Sequence, residues 1–273
     1  MTDPRDGSKV AAFFDLDKTV IAKSSTLAFS RPFYQEGLIN RRAVLKSAYA
    51  QFVFSLAGAD DDQMERMRAH ITALCANWDV EQVRSIVDET LHDIVDPLVY
   101  KEATELIADH QMAGHDVVIV SASGSEIVAP IARMIGATRS VATEMVAHDG
   151  RYTGEVSFYC AGENKAVAIR DLAGQYGYDL SSCYAYSDSI SDIPMLEAVG
   201  HPTAVNPDRA LRKAATTRGW PILTFSDPIS LRSRITNPSA TTVAVGIGLG
   251  AVAAAGVAWY GIRRQQRRRD RAD

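Results

Sequence analysis

Val10-Ala11-Ala12-Phe13-Phe14-Asp15-Leu16-Asp17-Lys18-Thr19-Val20-Ile21 is the stretch whose reading decides the fold. An apolar run stops abruptly at two carboxylates, Asp15 and Asp17. A short apolar run bounded this way reads as a buried strand of a parallel sheet. In an open α/β sheet, ligands bind beyond the carboxyl ends of the strands. The two acids therefore stand at the edge where chemistry is done. Alternation along an extended backbone puts Asp15 and Asp17 on one side. Two carboxylates that close repel unless a cation or a shared proton intervenes. On these residues alone, an acidic turn capping a helix through Asp17 or Thr19 is the other reading.

Outward from this stretch the chain changes rhythm twice. Residues 27–96 show helical periodicity and almost no strand signal, with helices expected over 43–56, 61–75 and 80–94. They read as a compact helical bundle. From 97 onward strands and helices alternate. Helices are expected over 98–112, 126–135, 165–176, 193–199 and 211–218, and strands over 117–120, 183–187, 202–205 and 222–224. Segment 141–158 has β character around Asp149-Gly150, a hairpin signature. The chain thus divides into an α/β core (8–21 with 97–226), a helical insertion (22–96), a linker (227–239), an apolar helix (240–262) and an arginine-rich tail (263–273).

The apolar helix carries no charged residue over 23 positions, enough to span a bilayer. Trp259 and Tyr260 mark its end, and Gly246, Gly250 and Ala254 form a small-residue face able to pair two copies into a homodimer. Six arginines follow it. Without this tail the chain holds 23 basic against 31 acidic residues, a balance that speaks against nucleic-acid binding. The three cysteines, 75, 160 and 183, have neither metal-ligand nor disulfide spacing and fit a reducing compartment. Met1 to Ser8 lack the apolar stretch of a secretory signal. The expectation is a membrane-associated protein with its catalytic body in the cytoplasm.

Four separated pieces share one architectural position, a strand end or the helix start beside it. They are Asp15 with Asp17, Ser121, Lys165, and Asp188 with Asp192. Asp15, Asp17 and Asp188 offer the hard oxygen ligands that Mg²⁺ prefers. Ser121 and the amides after it, at a helix N-terminus, suit an anion. Lys165 can offset the charge of a carboxylate and of a bound phosphate. A carboxylate can act as a nucleophile, and a second one two residues away can move protons.

These pieces resemble the haloacid dehalogenase-like (HAD) hydrolases. Phe14-Asp15-Leu16-Asp17-Lys18-Thr19-Val20 matches their DxDxT motif, Val120-Ser121 the second motif, Lys165 the third, and Ser187-Asp188-Ser189-Ile190-Ser191-Asp192 the acidic fourth. The helical insertion after the first motif resembles the C1 cap of subfamily IB, the phosphoserine-phosphatase-like branch. The resemblance implies a Rossmann-like parallel sheet and a Mg²⁺-dependent phosphomonoester hydrolase working through an aspartyl-phosphate. It implies Asp15 as nucleophile and Asp17 as general acid and base. Ser121, the Ala122 amide and Ser123 would hold the phosphate, with Lys165 balancing charge. The metal would lie on the Asp15 side chain, the Asp17 carbonyl and Asp188, with Asp192 in support. Phosphoserine phosphatases usually carry a glutamate nine positions after the nucleophile, where it reads the substrate's amino group; here Ser24 stands at that substrate-binding position. Ser191 replaces a usual asparagine. The substrate expected is a small phosphorylated molecule, either soluble or derived from lipid. The rival expectation is a membrane-tethered regulatory or interaction protein on the same scaffold.

Overall fold

The computed structural model describes residues 9–39 and 75–226. The helices expected over 43–56 and 61–75, the linker, the apolar segment and the arginine tail lie wholly or almost wholly outside the described residues. Among the described residues, no helix is long and apolar enough to cross a membrane.

Seven strands form one sheet among the described residues. They are β1 (Ala11–Phe14), β2 (Asp116–Gly124), β3 (Arg139–His148), β4 (Arg151–Phe158), β5 (Tyr184–Ser187), β6 (His201–Val205) and β7 (Ile222–Leu223). Their spatial order is β4-β3-β2-β1-β5-β6-β7. Every neighbouring pair is parallel except the β3–β4 hairpin. The chain winds outward from β1 through β2 and β3, then returns to β5 and continues to the other edge. The winding reverses between β1 and β5, which is where an open α/β sheet leaves a crevice for ligands.

Alternation along β1 explains why it is apolar throughout. Ala12 and Phe14 face one hydrophobic cluster and Ala11 and Phe13 the other, and all four are fully buried. Burying each phenylalanine stabilises the fold by about 2 kcal/mol. The first cluster lies under α3 (Val80–Val95), α4 (Lys101–Met112) and α5 (Ser125–Met134). The second lies under α6 (Glu163–Tyr176), α7 (Ile193–Glu197) and α8 (Arg209–Arg218). Two short helices, α1 (Ser25–Ala28) and α2 (Ser30–Gln35), follow the loop after β1.

The elements follow the sequence pattern, with shifts that have local causes. Asp149 and Gly150 both take positive φ, 49° and 75°, the geometry of a tight hairpin turn. The helix expected from 98 starts at Lys101, because Asp96–Leu98 form a 3-10 turn and Val99 is extended. Val99 bridges Ile21, the Ala22 amide donates to the Leu98 carbonyl, and the Tyr100 amide donates to that of Val20. The two ends of the helical insertion therefore lie side by side. Helix α3, the last helix of that insertion, shares its buried residues Val83, Ile86, Val87 and Val95 with the hydrophobic cluster beneath the sheet. Asp79 caps it by accepting the Gln82 amide at 3.1 Å.

Candidate active site

Register carries the candidate residues to one edge. Phe14 pairs with Ile119 on β2 and with Tyr186 on β5. One residue further along each strand stand Asp15, Val120 and Ser187, and the next step brings Ser121 and Asp188 level with Leu16. β1 itself stops at Phe14, so the two acids do not lie on an extended strand as expected. The Asp15 amide still continues the ladder to the Tyr186 carbonyl at 2.9 Å. The chain then turns tightly, with the Val20 and Ile21 amides both donating to the Leu16 carbonyl at 3.0 Å. Lys18 sits in that turn at φ 63°, a left-handed conformation that costs a side-chain-bearing residue about 1 kcal/mol.

Because of this turn, Asp15 and Asp17 have separate partners. Asp15 is buried and accepts from Lys165 Nζ at 2.6 Å. The same Nζ donates to Asp192 Oδ2 at 2.7 Å, and the Ser187 hydroxyl donates to that oxygen at 2.7 Å. Lys165 is buried and lies in the first turn of α6, which begins at Glu163 after the Gly162 turn. Asp17 lies on the other side. Its Oδ1 accepts the Ser25 amide at 2.8 Å and its Oδ2 the Ser123 hydroxyl at 3.1 Å. Ser25 is the first residue of α1, so the helix-capping reading of Asp17 also holds in space; Thr19 is buried and its hydroxyl has no partner among the described residues.

Electrostatics set these acids apart from ordinary carboxylates. Burial, reinforced by Asp192 and Asp17 and opposed by Lys165, lifts Asp15 to about 7. Burial, with Asp15 adding to it and the Lys18 ammonium opposing, lifts Asp188 to about 8. Burial also raises Asp17, against the pull of its Ser25 and Ser123 donors. Burial alone would lower Lys165, but Asp15 and Asp192 together hold it firmly protonated. The imbalance is simple: one buried ammonium faces several buried carboxylates, so it gains from all of them while each gains only a share.

The remaining expected residues fall as follows. Ser121 is buried, and its hydroxyl accepts the Ser123 amide at 3.2 Å. β2 runs on to Gly124, with an irregularity in register between Ser121 and Gly124, and the helix expected over 126–135 starts at Ser125. Ala122 is exposed at the strand end, its carbonyl accepting from Thr143 at 2.7 Å. Ser123, expected to touch substrate, donates its hydroxyl to Asp17 at 3.1 Å. Ser24 is the half-buried N-cap of α1, without a side-chain capping bond. Asp192, expected beside the metal, spends one oxygen on Lys165 and Ser187. Among the described residues no three His, Cys, Asp or Glu side chains converge as a metal-binding group. The expected donor set has only two such side chains, Asp15 and Asp188, plus the Asp17 carbonyl.

Sequence reasoning missed four residues here. Ser25 and Thr26 lie against Ser123, and Ser187 holds Asp192. Asp208 pins the loop that bears Asp188: its amide donates to the Asp188 carbonyl at 2.8 Å, and its carboxylate accepts the Ile190 amide at 2.9 Å. Asp208 left a local signal, as an N-cap aspartate three residues before Leu211, whose amide it accepts at 2.7 Å.

Comparison with known proteins agrees with this geometry. The family model for haloacid dehalogenase-like hydrolases matches residues 12–197. A Mycobacterium tuberculosis protein named "Probable phosphatase" is 65% identical over 265 residues, covering 96% of this chain and 92% of its own. A Streptomyces azureus protein named "Inhibition of morphological differentiation protein" is 62% identical over 262 residues, covering 94% and 95%. A phosphoserine phosphatase of M. tuberculosis is 36% identical over 247 residues, covering 89% and 79%. Among solved structures, a Bordetella pertussis protein of unknown function superimposes with a TM-score of 0.70 at 28% identity, over 80% of this chain and 99% of that one. A phospho-aspartyl intermediate analogue of phosphoserine phosphatase shares the fold, with a TM-score of 0.59 at 17% identity over 83% and 97%. The chain belongs to the haloacid dehalogenase-like hydrolases and is phosphoserine-phosphatase-like among them.

Proposed function

We propose that the protein is a phosphomonoester hydrolase that works through an aspartyl-phosphate on Asp15. The observation that carries this reading is the buried, unbalanced acid cluster at the carboxyl end of β1, with Asp15 on Lys165 and Asp17 held apart from it. Asp15 attacks phosphorus, and the bond from phosphorus to the leaving oxygen breaks. Asp17 gives that oxygen its proton. Asp17 then takes a proton from water, which attacks the aspartyl-phosphate and returns Asp15 as a carboxylate and phosphate as product. Lys165 holds Asp15 in place and supplies positive charge beside the incoming phosphate. The Ser121 hydroxyl and the Ala122 amide, in the last residues of β2, would hold a phosphate oxygen.

The donor set fits Mg²⁺. Asp15 and Asp188 are hard oxygen donors whose repulsion is left unbalanced by Lys165, and a divalent cation relieves that repulsion. The Asp15 side chain, the Asp17 carbonyl and Asp188 would hold it, with Asp192 fixing Lys165 beside them. When bound, the cation neutralises phosphate charge and favours the ionised nucleophile.

An aryl phosphate assay with Mg²⁺ tests the reading. Asp15→Asn should lower turnover by about 10⁴-fold or more. No turnover across a panel of phosphoserine, glycerol phosphates and lysophospholipids would sink it. It would leave the second reading, a regulatory or interaction protein with little catalysis. The same panel addresses substrate. Ser24, in place of the glutamate, supports a substrate other than phosphoserine, and the apolar segment 240–262 supports a lipid-derived or membrane-proximal phosphate. That segment also motivates the placement on a membrane with a cytoplasmic body. Fractionation of the full chain against a version ending at Asn237 tests this placement: if both stay in the soluble fraction, the anchor is wrong.

A further inference from the structure

Asp17 is the end of a chain of hydroxyl groups that the mechanism above leaves without a task. Ser123 Oγ lies 3.1 Å from Asp17 Oδ2, 2.8 Å from Ser25 Oγ and 3.1 Å from Thr26 Oγ1. Ser25 is fully buried and Ser123 nearly so. A serine hydroxyl has one proton and two lone pairs; Asp17, when ionised, can only accept, and when it carries the proton for the leaving oxygen it still offers Ser123 a lone pair on Oδ2. The Ser123 proton therefore goes to Asp17. Ser25 donates to the Ser123 oxygen, and the lone pair that remains takes the proton of Thr26. Every position on the Ser123 oxygen is then used, and its O–H has one direction left. The other Asp17 oxygen accepts the Ser25 amide at 2.8 Å. The Ser121 hydroxyl, accepting the Ser123 amide, steadies the backbone from which Ser123 projects. The carboxyl group is thus gripped from two sides, by the end of β2 and by the first turn of α1.

We infer that Ser123, backed by Ser25 and Thr26, is the positioning residue for Asp17 and sets how its carboxyl group meets the leaving oxygen. The inference rests on the reading of Asp17 as proton donor to that oxygen. It also ties the proton donor to the helical insertion, because Ser25 and Thr26 belong to its first turn. As the bond from Asp15 to phosphorus forms, the bond to the leaving oxygen breaks, and that oxygen takes the Asp17 proton. A basic leaving group depends on this proton; a stabilised aryl oxide such as p-nitrophenolate departs without it. A misplaced Asp17 therefore harms the first kind of substrate more than the second. A general fault in folding or phosphate binding harms both alike.

The test is kcat/KM with Mg²⁺ over substituted phenyl phosphates, from p-nitrophenyl to unsubstituted phenyl. This constant covers steps up to departure of the leaving group and ignores the rate of phosphoenzyme hydrolysis. Ser123→Ala should lower the phenyl phosphate value about 10-fold more than the p-nitrophenyl value, a fraction of what general acid catalysis supplies. Ser123→Thr, which keeps the hydroxyl, should restore the wild-type slope. Ser25→Ala and Thr26→Val, each removing one backing donor, should steepen the slope in the same direction by less, and they serve if Ser123→Ala fails to fold. A uniform loss across the series, or no loss, overturns the inference while the phosphatase reading stands. A wild-type protein inert toward the whole series overturns both.

Discussion

Asp116 and Asp15 are the same residue type at opposite ends of one sheet, and their surroundings push them in opposite directions. Asp116 opens β2 at the amino end. Its Oδ2 accepts the Tyr178 hydroxyl at 2.6 Å and Arg139 Nη1 at 2.7 Å, while that guanidinium stacks over the Tyr176 ring at 3.8 Å. Partial burial works against its charge, but the Tyr178 and Arg139 donors win, and Asp116 lies below the usual carboxylate range. At the carboxyl end burial wins instead, and Asp15 and Asp188 rise to about 7 and about 8. The amino end matches each charge with its own partner, as a structural cluster does. The carboxyl end gathers acids around one lysine and leaves the balance to be supplied from outside. Groups held off balance in this way mark the site that binds and reacts.

Breaking the carboxyl end should have the largest effect. Lys165→Met strands Asp15 and Asp192 without their shared cation. Turnover should fall about 10³-fold, and the cation-free protein at pH 8 should lose about 3 kcal/mol in urea unfolding. A variant that kept full activity would mean that Lys165 is only structural.

The second effect is one of pH and metal. In the folded, cation-free protein Asp15 and Asp188 keep protons that ordinary carboxylates of the unfolded chain release near pH 4. The folded state then binds more protons, so their contribution to stability falls as pH rises from about 4 to about 8. Mg²⁺ should reverse that loss. At a hundred times its Kd it adds about 2.7 kcal/mol, or about 5–10 °C in Tm, more at pH 8 than at pH 5. Asp188→Asn should flatten both responses. Comparing it with wild type cancels other titrating groups, among them buried His110, which burial and His115 lower to about 4 and which acts in the opposite sense. An Mg²⁺ effect that ignores pH would show that the cation does not sit among these acids.

The smallest effect belongs to the amino end. Asp116→Asn should cost about 1 kcal/mol of stability, since the cluster is partly solvated. Turnover should stay within about twofold of wild type. The contribution of Asp116 is present above the ordinary carboxylate pKa and fades as pH falls through its depressed folded value, the reverse of the trend for Asp15. A large loss of activity in this variant would erase the distinction between the two ends.

Much of the site was legible because its cues are short-range. An apolar run ending in Asp15 is visible within a dozen residues, and so is the acidic loop of Asp188 and Asp192. The hairpin is announced by Asp149-Gly150, whose residues accept positive φ. The sequence therefore set the α/β rhythm, the strand ends at which the acids stand, and the family to which the motifs belong. It could not assign their partners. Lys165 and Asp15 are 150 positions apart and Ser25 and Ser123 are 98 apart. No periodicity or turn signal spans such distances. Their meeting depends on strand register, on the winding that reverses beside β1, and on α1 lying against the end of β2. For the same reason only the tertiary structure brought the Ser123 hydroxyl onto Asp17 and Lys165 onto Asp192. A hydroxyl or a carboxylate takes whichever partner the packed fold places within about 3 Å, and packing, unlike propensity, is decided by the whole chain at once.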